Sequence, residues 1–177
     1  VQYDFSMSDL SEVVFEYVNF SNCIFNKTVC KNTRFWGCFF DDCTFSRVDL
    51  SDTYIGAWGG GQNNCKFVKC KLGKAFSGSY ITNAVFDHCK IKGCMLFCLY
   101  MENVRFSGLI DDLMIRKMSI EDITRNQTAA KATEVIAKIL HVIKRDDIDV
   151  SKVQVKDIDF SMATMQFLDF SECELQN

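Results

Sequence analysis

The residues of this chain best equipped for chemistry are its ten cysteines and its two histidines, His88 and His141. Thiols at CxxC-type spacing with converging partners would hold zinc, and a thiol beside an imidazole would make a nucleophile. Neither arrangement appears. Cys38 and Cys43 are five apart, as are Cys65 and Cys70, and Cys89, Cys94 and Cys98 add no partner pattern. His88 and Cys98 are ten residues apart, and His141 falls in a stretch of helical periodicity. The acid pairs Asp41-Asp42 and Asp111-Asp112 read as solvated corners or loops. The sequence contains no Walker loop, dinucleotide fingerprint, HExxH or GxSxG. The expectation is a chain that is not an enzyme, with no cofactor, no metal and no catalytic residue.

Bulk properties narrow the class further. The chain has 177 residues, 48% apolar and 24% charged, which suits one globular domain or a piece of a larger protein. No apolar run approaches the ~18 residues of a membrane span. A net charge of −3 argues against direct nucleic-acid binding. The chain starts at Val1 with neither an initiator Met nor the charged-then-apolar start of a secretory signal, and so reads as an excised fragment.

The elements that must carry these residues are set by a period of five. Every fifth residue from Phe5 is apolar: Phe5, Leu10, Phe15, Phe20, Phe25, Cys30, Phe35, Phe40, Phe45, Leu50 and Ile55. Two places before each stands a small or β-branched residue, Tyr3 apart: Ser8, Val13, Val18, Cys23, Thr28, Thr33, Cys38, Cys43, Val48 and Thr53. Cys65-Lys66-Phe67 and Cys70-Lys71-Leu72 fit the same pattern. A one-residue deletion near Gly73–Ser79 shifts the register, and Ile81, Phe86, Ile91, Leu96, Met101 and Phe106 resume it. A last ladder runs through Val150, Val155, Phe160, Met165, Phe170 and Leu175. Five matches neither an α-helix nor an alternating strand. Within a quintet, however, the two apolar positions are two apart and share one face of a short extended segment. A corner follows, and repeated corners wind the chain into an all-β solenoid.

Ser8-Asp9-Leu10-Ser11-Glu12, Val18-Asn19-Phe20-Ser21-Asn22 and Val48-Asp49-Leu50-Ser51-Asp52 resemble the A(D/N)LXX motif of the pentapeptide-repeat family. The resemblance covers about three quarters of the chain. It implies a right-handed quadrilateral parallel β-helix with four quintets per turn. One domain over 1–177 is expected: coils over 1–120, a helical insertion over about 121–147 and further coils over 148–177. This chain departs from the motif in preferring Phe to Leu, and Cys, Val or Thr to Ala. In this register Cys23, Cys38, Cys43, Cys65, Cys70, Cys89, Cys94 and Cys173 take the small inward position, Cys30 a central one, and Cys98 points outward. Such thiols are structural and free, which expects a reducing cytosol: bacterial, or that of a host for a secreted effector.

Chemistry on a solenoid belongs to its faces and interruptions. Ala57–Asn64 carries Gly59, Gly60 and Gly61, which reads as a loop bulging from a corner. Trp58 at its base either anchors a partner or covers a coil edge. Ala132, Val135, Ile136, Ile139, Leu140 and Ile143 recur at three and four, predicting an amphipathic helix near 126–145. It either packs on the solenoid or binds a partner. Between Ser107 and Ile120 the repeat looks degenerate. Charge is uneven: residues 1–55 hold 8 acids and 4 bases, residues 56–109 hold 2 and 7, and residues 110–177 hold 13 and 9. The middle band of Lys66, Lys69, Lys71, Lys74, Lys90, Lys92 and Arg105 is either a solvated face or the seat of an acidic partner.

The family resemblance implies a non-catalytic protein–protein interaction scaffold. In bacterial secreted effectors a β-helix of this kind precedes a HECT-like ubiquitin ligase and serves target recruitment. The alternative it implies is a DNA mimic that binds DNA gyrase or topoisomerase and protects against quinolone-type inhibitors. Those mimics are strongly acidic, whereas this chain has a basic middle. The partner is expected to be protein, with no membrane span. The candidate contacts are Trp58, Gly59, Gly60, Gly61, Lys66, Lys69, Lys71, Lys90 and Lys92.

Overall fold

A strand of two or three residues needs a corner to end it, and the backbone supplies one per quintet. Strands Asn19–Ser21, Ile24–Asn26 and Arg34–Trp36 are each three residues long. Two places after most of the large inward residues the chain takes left-handed backbone: Asn22, Lys27, Asn32, Asp42, Arg47, Asn64, Lys69, Asn83, His88 and Asn103 have φ of 51–56°. Many corners are also braced by an Asp whose carboxylate accepts the N–H two residues on, as in Ser6 to Asp4 and Ser11 to Asp9, both at 2.9 Å. Four corners return the strand beside itself. Val14 pairs with Arg34, Arg34 with Tyr54, and Asn19 with Phe39, all parallel.

This computed structural model describes residues 2–55, 60–77, 80–98, 100–117, 137, 153–171 and 173–176. They form a parallel β-solenoid of about five turns, nearly all strand. The later strands, such as Val85–Cys98, Tyr100–Lys117 and Val153–Asp169, run on through their corners. Apart from Ala137, which is helical and exposed, the inserted helix expected from the sequence lies outside the described residues.

The core is a set of ladders. Phe5, Phe25, Phe45, Phe67, Phe86, Phe106 and Phe160 stack ring on ring, with centroids 4.4–5.0 Å apart and planes within 13°. This is the inter-strand spacing of ~4.8 Å imposed on a side chain. Phe106 stacks on Phe160 at 4.8 Å, so the coil after the insertion lands in register on the coil before it. A second ladder runs Phe20–Phe40–Gln62–Ile81–Met101–Val155, all buried. The small inward positions fill with thiols and hydroxyls that reach the carbonyl of the preceding coil. Thr28, Thr33 and Thr53 donate to Phe5, Leu10 and Cys30 carbonyls at 2.7–2.8 Å, and Cys65 and Cys70 to Phe40 and Phe45 carbonyls at 3.4 Å. Cys and Thr therefore serve the same post: small, inward and satisfied.

Three expectations change. The stretch after Ser107 is not degenerate, for Ile110, Leu113 and Ile115 are buried in the strand Tyr100–Lys117. Between Phe106 and Gly108 this coil is one residue shorter than the coil before it, and the register shift past Phe86 absorbs the difference at Gly108, whose φ is +106° and where a Cβ would run into the Cys89 carbonyl oxygen. Cys98 is fully buried rather than outward. It stays in extended strand, without the left-handed backbone that turns other corner residues out. Gly60 and Gly61 do not project either. Both are buried, and Gly61 opens the strand Gly61–Asn63 beside Phe39. A Cβ on Gly61 would sit 2.6 Å from the ring of buried Tyr80, so this rung has room only for glycine.

The stacked core sets the scale of damage. Phe67→Ala should lower the unfolding free energy by about 3–5 kcal/mol in a denaturant titration. Gly108→Ala should also destabilise, since it meets backbone at a left-handed φ. A wild-type midpoint for either would contradict the ladder.

Candidate binding surface

The interior leaves no room for reactive thiols. All ten cysteines are free, and nine are buried, Cys173 being partly exposed. Burial pushes the Cys30 and Cys38 thiols up to about 12 and raises Cys98 further. No group of three metal-ligating side chains occurs among the described residues. The closest approach to a catalytic trio is Asp87, His88 and Ser107, at an open hollow of about 520 Å³. The Asp87 carboxylate lies 2.6 Å from His88 Nδ1 and accepts the Ser107 hydroxyl at 3.1 Å, and Ser107 Oγ accepts the His88 backbone N–H at 2.7 Å. A relay needs the imidazole between carboxylate and hydroxyl. Here the carboxylate stands between the other two, so the trio braces a corner.

The basic band is outside and partly gathered. Lys66 lies on the strand Lys66–Val68, Lys71 on the next side in Lys71–Ser77, and Lys69 occupies the corner between them. Lys90 is the register partner of Lys71 one coil on. All four are exposed. Lys71 also pairs with Asp49 at 2.8 Å, which holds the exposed Asp49 carboxyl below its ordinary value. Lys92 faces Asp111 at 3.5 Å, past Lys90 on the same side, and stands at the edge of the group. Among the described residues, Lys66, Lys69 and Lys90 form no ion pair. Trp58 and Gly59 lie outside the described residues. Two further cations, Lys27 and Arg47, prove to share the corner of Lys69, because Lys27 N–H bonds the Ser46 carbonyl and Arg47 N–H the Val68 carbonyl. Reading at five-residue spacing misses them. The paired coils bring them together in steps of 20 and 22 residues.

Residues 23–55 match the family of pentapeptide repeats in eight copies. Those residues are pentapeptide repeats. No curated protein matches it. Among solved structures, a pentapeptide repeat protein from the Arabidopsis thaliana thylakoid lumen is 19% identical over 52% of this chain, with a TM-score of 0.31. This chain spans 60% of that protein's length. A trypsin-treated form of QnrB1, a plasmid-mediated fluoroquinolone resistance protein, is 12% identical over 99% of this chain and 84% of its own, with a TM-score of 0.49. No helix among the described residues is long and apolar enough to cross a membrane.

Two measurements check these assignments. A thiol reagent should leave the buried cysteines of the native protein unmodified and react with all ten after denaturation. Fast native reaction of several would disprove their burial. Asp4, Asp9 and Asp159 are held below 3.8 by their serine hydroxyls and N–H groups, and Asp169 by Arg116 and then Ser171. Depressed carboxylates contribute stability above the unfolded pKa and lose it as pH falls through the folded one. The melting temperature should therefore hold through neutrality and drop below about pH 4, and Asp169→Asn should lessen that drop.

Proposed function

We propose that this protein is a non-catalytic scaffold that binds another protein through the corner bearing Lys66, Lys69, Lys71 and Lys90. The observation that carries this reading is the register pairing of Lys71 with Lys90, both exposed. Lys71 is paired with Asp49 on the rung before, whereas Lys90 meets only the like charge of Lys71 there, and like charges on neighbouring rungs repel. A partner that supplies carboxylates turns that repulsion into attraction. It also steers encounter, since complementary charge acts on association rates. Target recruitment for a bacterial effector, the role implied by the family resemblance, is a scaffold function of this kind. Mimicry of duplex DNA toward gyrase needs a continuous acidic face, and the acids of residues 1–55 are interleaved with Lys27, Lys31, Arg34 and Arg47.

The test is affinity capture with the wild-type chain against Lys66→Glu/Lys71→Glu/Lys90→Glu, with Trp58→Ala in parallel. The triple variant should lose the main captured protein while keeping the wild-type melting temperature. Unchanged capture by the triple variant would overturn the assignment, and loss with Trp58→Ala alone would move the contact to the Trp58 side.

A further inference from the structure

One corner of the solenoid breaks the local rule that its neighbour keeps. Left-handed backbone favours Gly, Asn and Asp. The neighbouring corner obeys at every rung, with Asn22, Asp42, Asn64, Asn83, Asn103 and Asp157. Its amides interlock from rung to rung, as Asn103 Nδ2 donates to Asn83 Oδ1 at 2.9 Å. The corner one side further on carries Lys27, Arg47, Lys69 and His88 at the same backbone angles, φ 54°, 54°, 54° and 51°. Their register is fixed by backbone bonds: Lys27 N–H to Ser46, Arg47 N–H to Val68 and Lys69 N–H to Asp87 carbonyls, at 2.8–2.9 Å. All four are exposed. Three permanent cations therefore stand in a straight row at ~4.8 Å per rung, each in a conformation its residue type disfavours and each repelled by the next. Sites that depart from both local and electrostatic preference are where function is expected.

We propose that this row is the seat of an extended acidic segment of a partner protein. The idea rests on the reading of the basic corner as the contact surface and names what that surface takes. The row from Lys27 to His88 spans about 14 Å, and an extended peptide presents same-face side chains every ~6.7 Å. Alternate carboxylates over five or six residues match that length. Beside the Lys27 end, an open hollow of about 390 Å³ is lined by Lys27, Lys31 and Arg47 together with Asp49 and Asp52, so it extends the row by a mixed surface and the three cations of the row itself carry the charge match. Peptide is favoured over nucleic acid on two counts. A nucleic-acid site expects a basic domain with aromatic platforms. This chain has a pI near 5.4, and the residues preceding the row are Asn26, Ser46, Val68 and Asp87, none of them aromatic.

The experiment measures fluorescence anisotropy of a labelled deca-glutamate peptide against the intact chain, with single-stranded and duplex oligonucleotides of equal charge as competing probes. The row variant is Lys27→Asn/Arg47→Asn/Lys69→Asn, and the flanking variant is Lys66→Gln/Lys71→Gln/Lys90→Gln. Arg34→Asn, a cation on a different side, serves as the control. The peptide should bind the wild type, weaken steeply with salt, and bind the row variant at least tenfold more weakly. The row variant should melt at or above the wild-type temperature, because Asn suits the backbone, so lost folding cannot explain the loss. Retained peptide binding by the row variant with loss in the flanking variant would overturn the row and leave the basic corner standing. Loss in neither, or no peptide binding to the wild type, would overturn both. Tighter binding of an oligonucleotide than of the peptide would overturn the partner class.

Discussion

Everything in this molecule follows from parallel strands meeting in register once per turn. Main-chain pairing at ~4.8 Å brings identical positions of successive turns into contact. A side chain that stacks well on itself therefore suits the core better than one that merely fills volume. Phenylalanine does so, and the row from Phe5 to Phe160 is the direct result. The same constraint operates outside. Any residue type repeated once per turn becomes a line of like groups, such as the amides of Asn83 and Asn103 or the cations of Lys27, Arg47 and Lys69.

The cysteines illustrate how little the interior has left for chemistry. Their thiols sit where threonine hydroxyls sit in the first coils and point at the corresponding carbonyls of the preceding coil. A side chain enclosed on every side, with its proton directed at a carbonyl, is a packing element. Even the Asp87–His88–Ser107 trio is occupied with its own corner. Charge, by contrast, lies on the faces and is uneven along the chain, with 2 acids against 7 bases over residues 56–109.

The apolar skeleton was legible in the sequence because burial imposes its period directly on residue type. Phe15, Phe35 and Phe45 could be read as inward from spacing alone. Cys98 could not, because its fate depends on whether one corner adopts left-handed backbone, and cysteine has no strong preference either way. Gly61 misled for a related reason. Glycine marks both loops and close approaches, and only the ring of Tyr80 one turn later decides between them. Lys27 and Arg47 escaped because the steps from Lys27 to Arg47 and from Arg47 to Lys69 are 20 and 22 residues, and the two extra residues before Gln62 blur any fixed period.

The contact between Phe106 and Phe160 has a temporal side. Most coils touch only the coil made about 20 residues earlier, so the helix can wind vectorially as it leaves the ribosome. The last coil is different: 54 residues separate those two rings. At ~5–20 residues per second of translation, it docks roughly 3–10 s after its platform is complete. During that interval the strand holding Phe106 and Ile110 lacks the strand that pairs with it in the finished coil, so the last rung closes later than a chain of evenly spaced turns would close it.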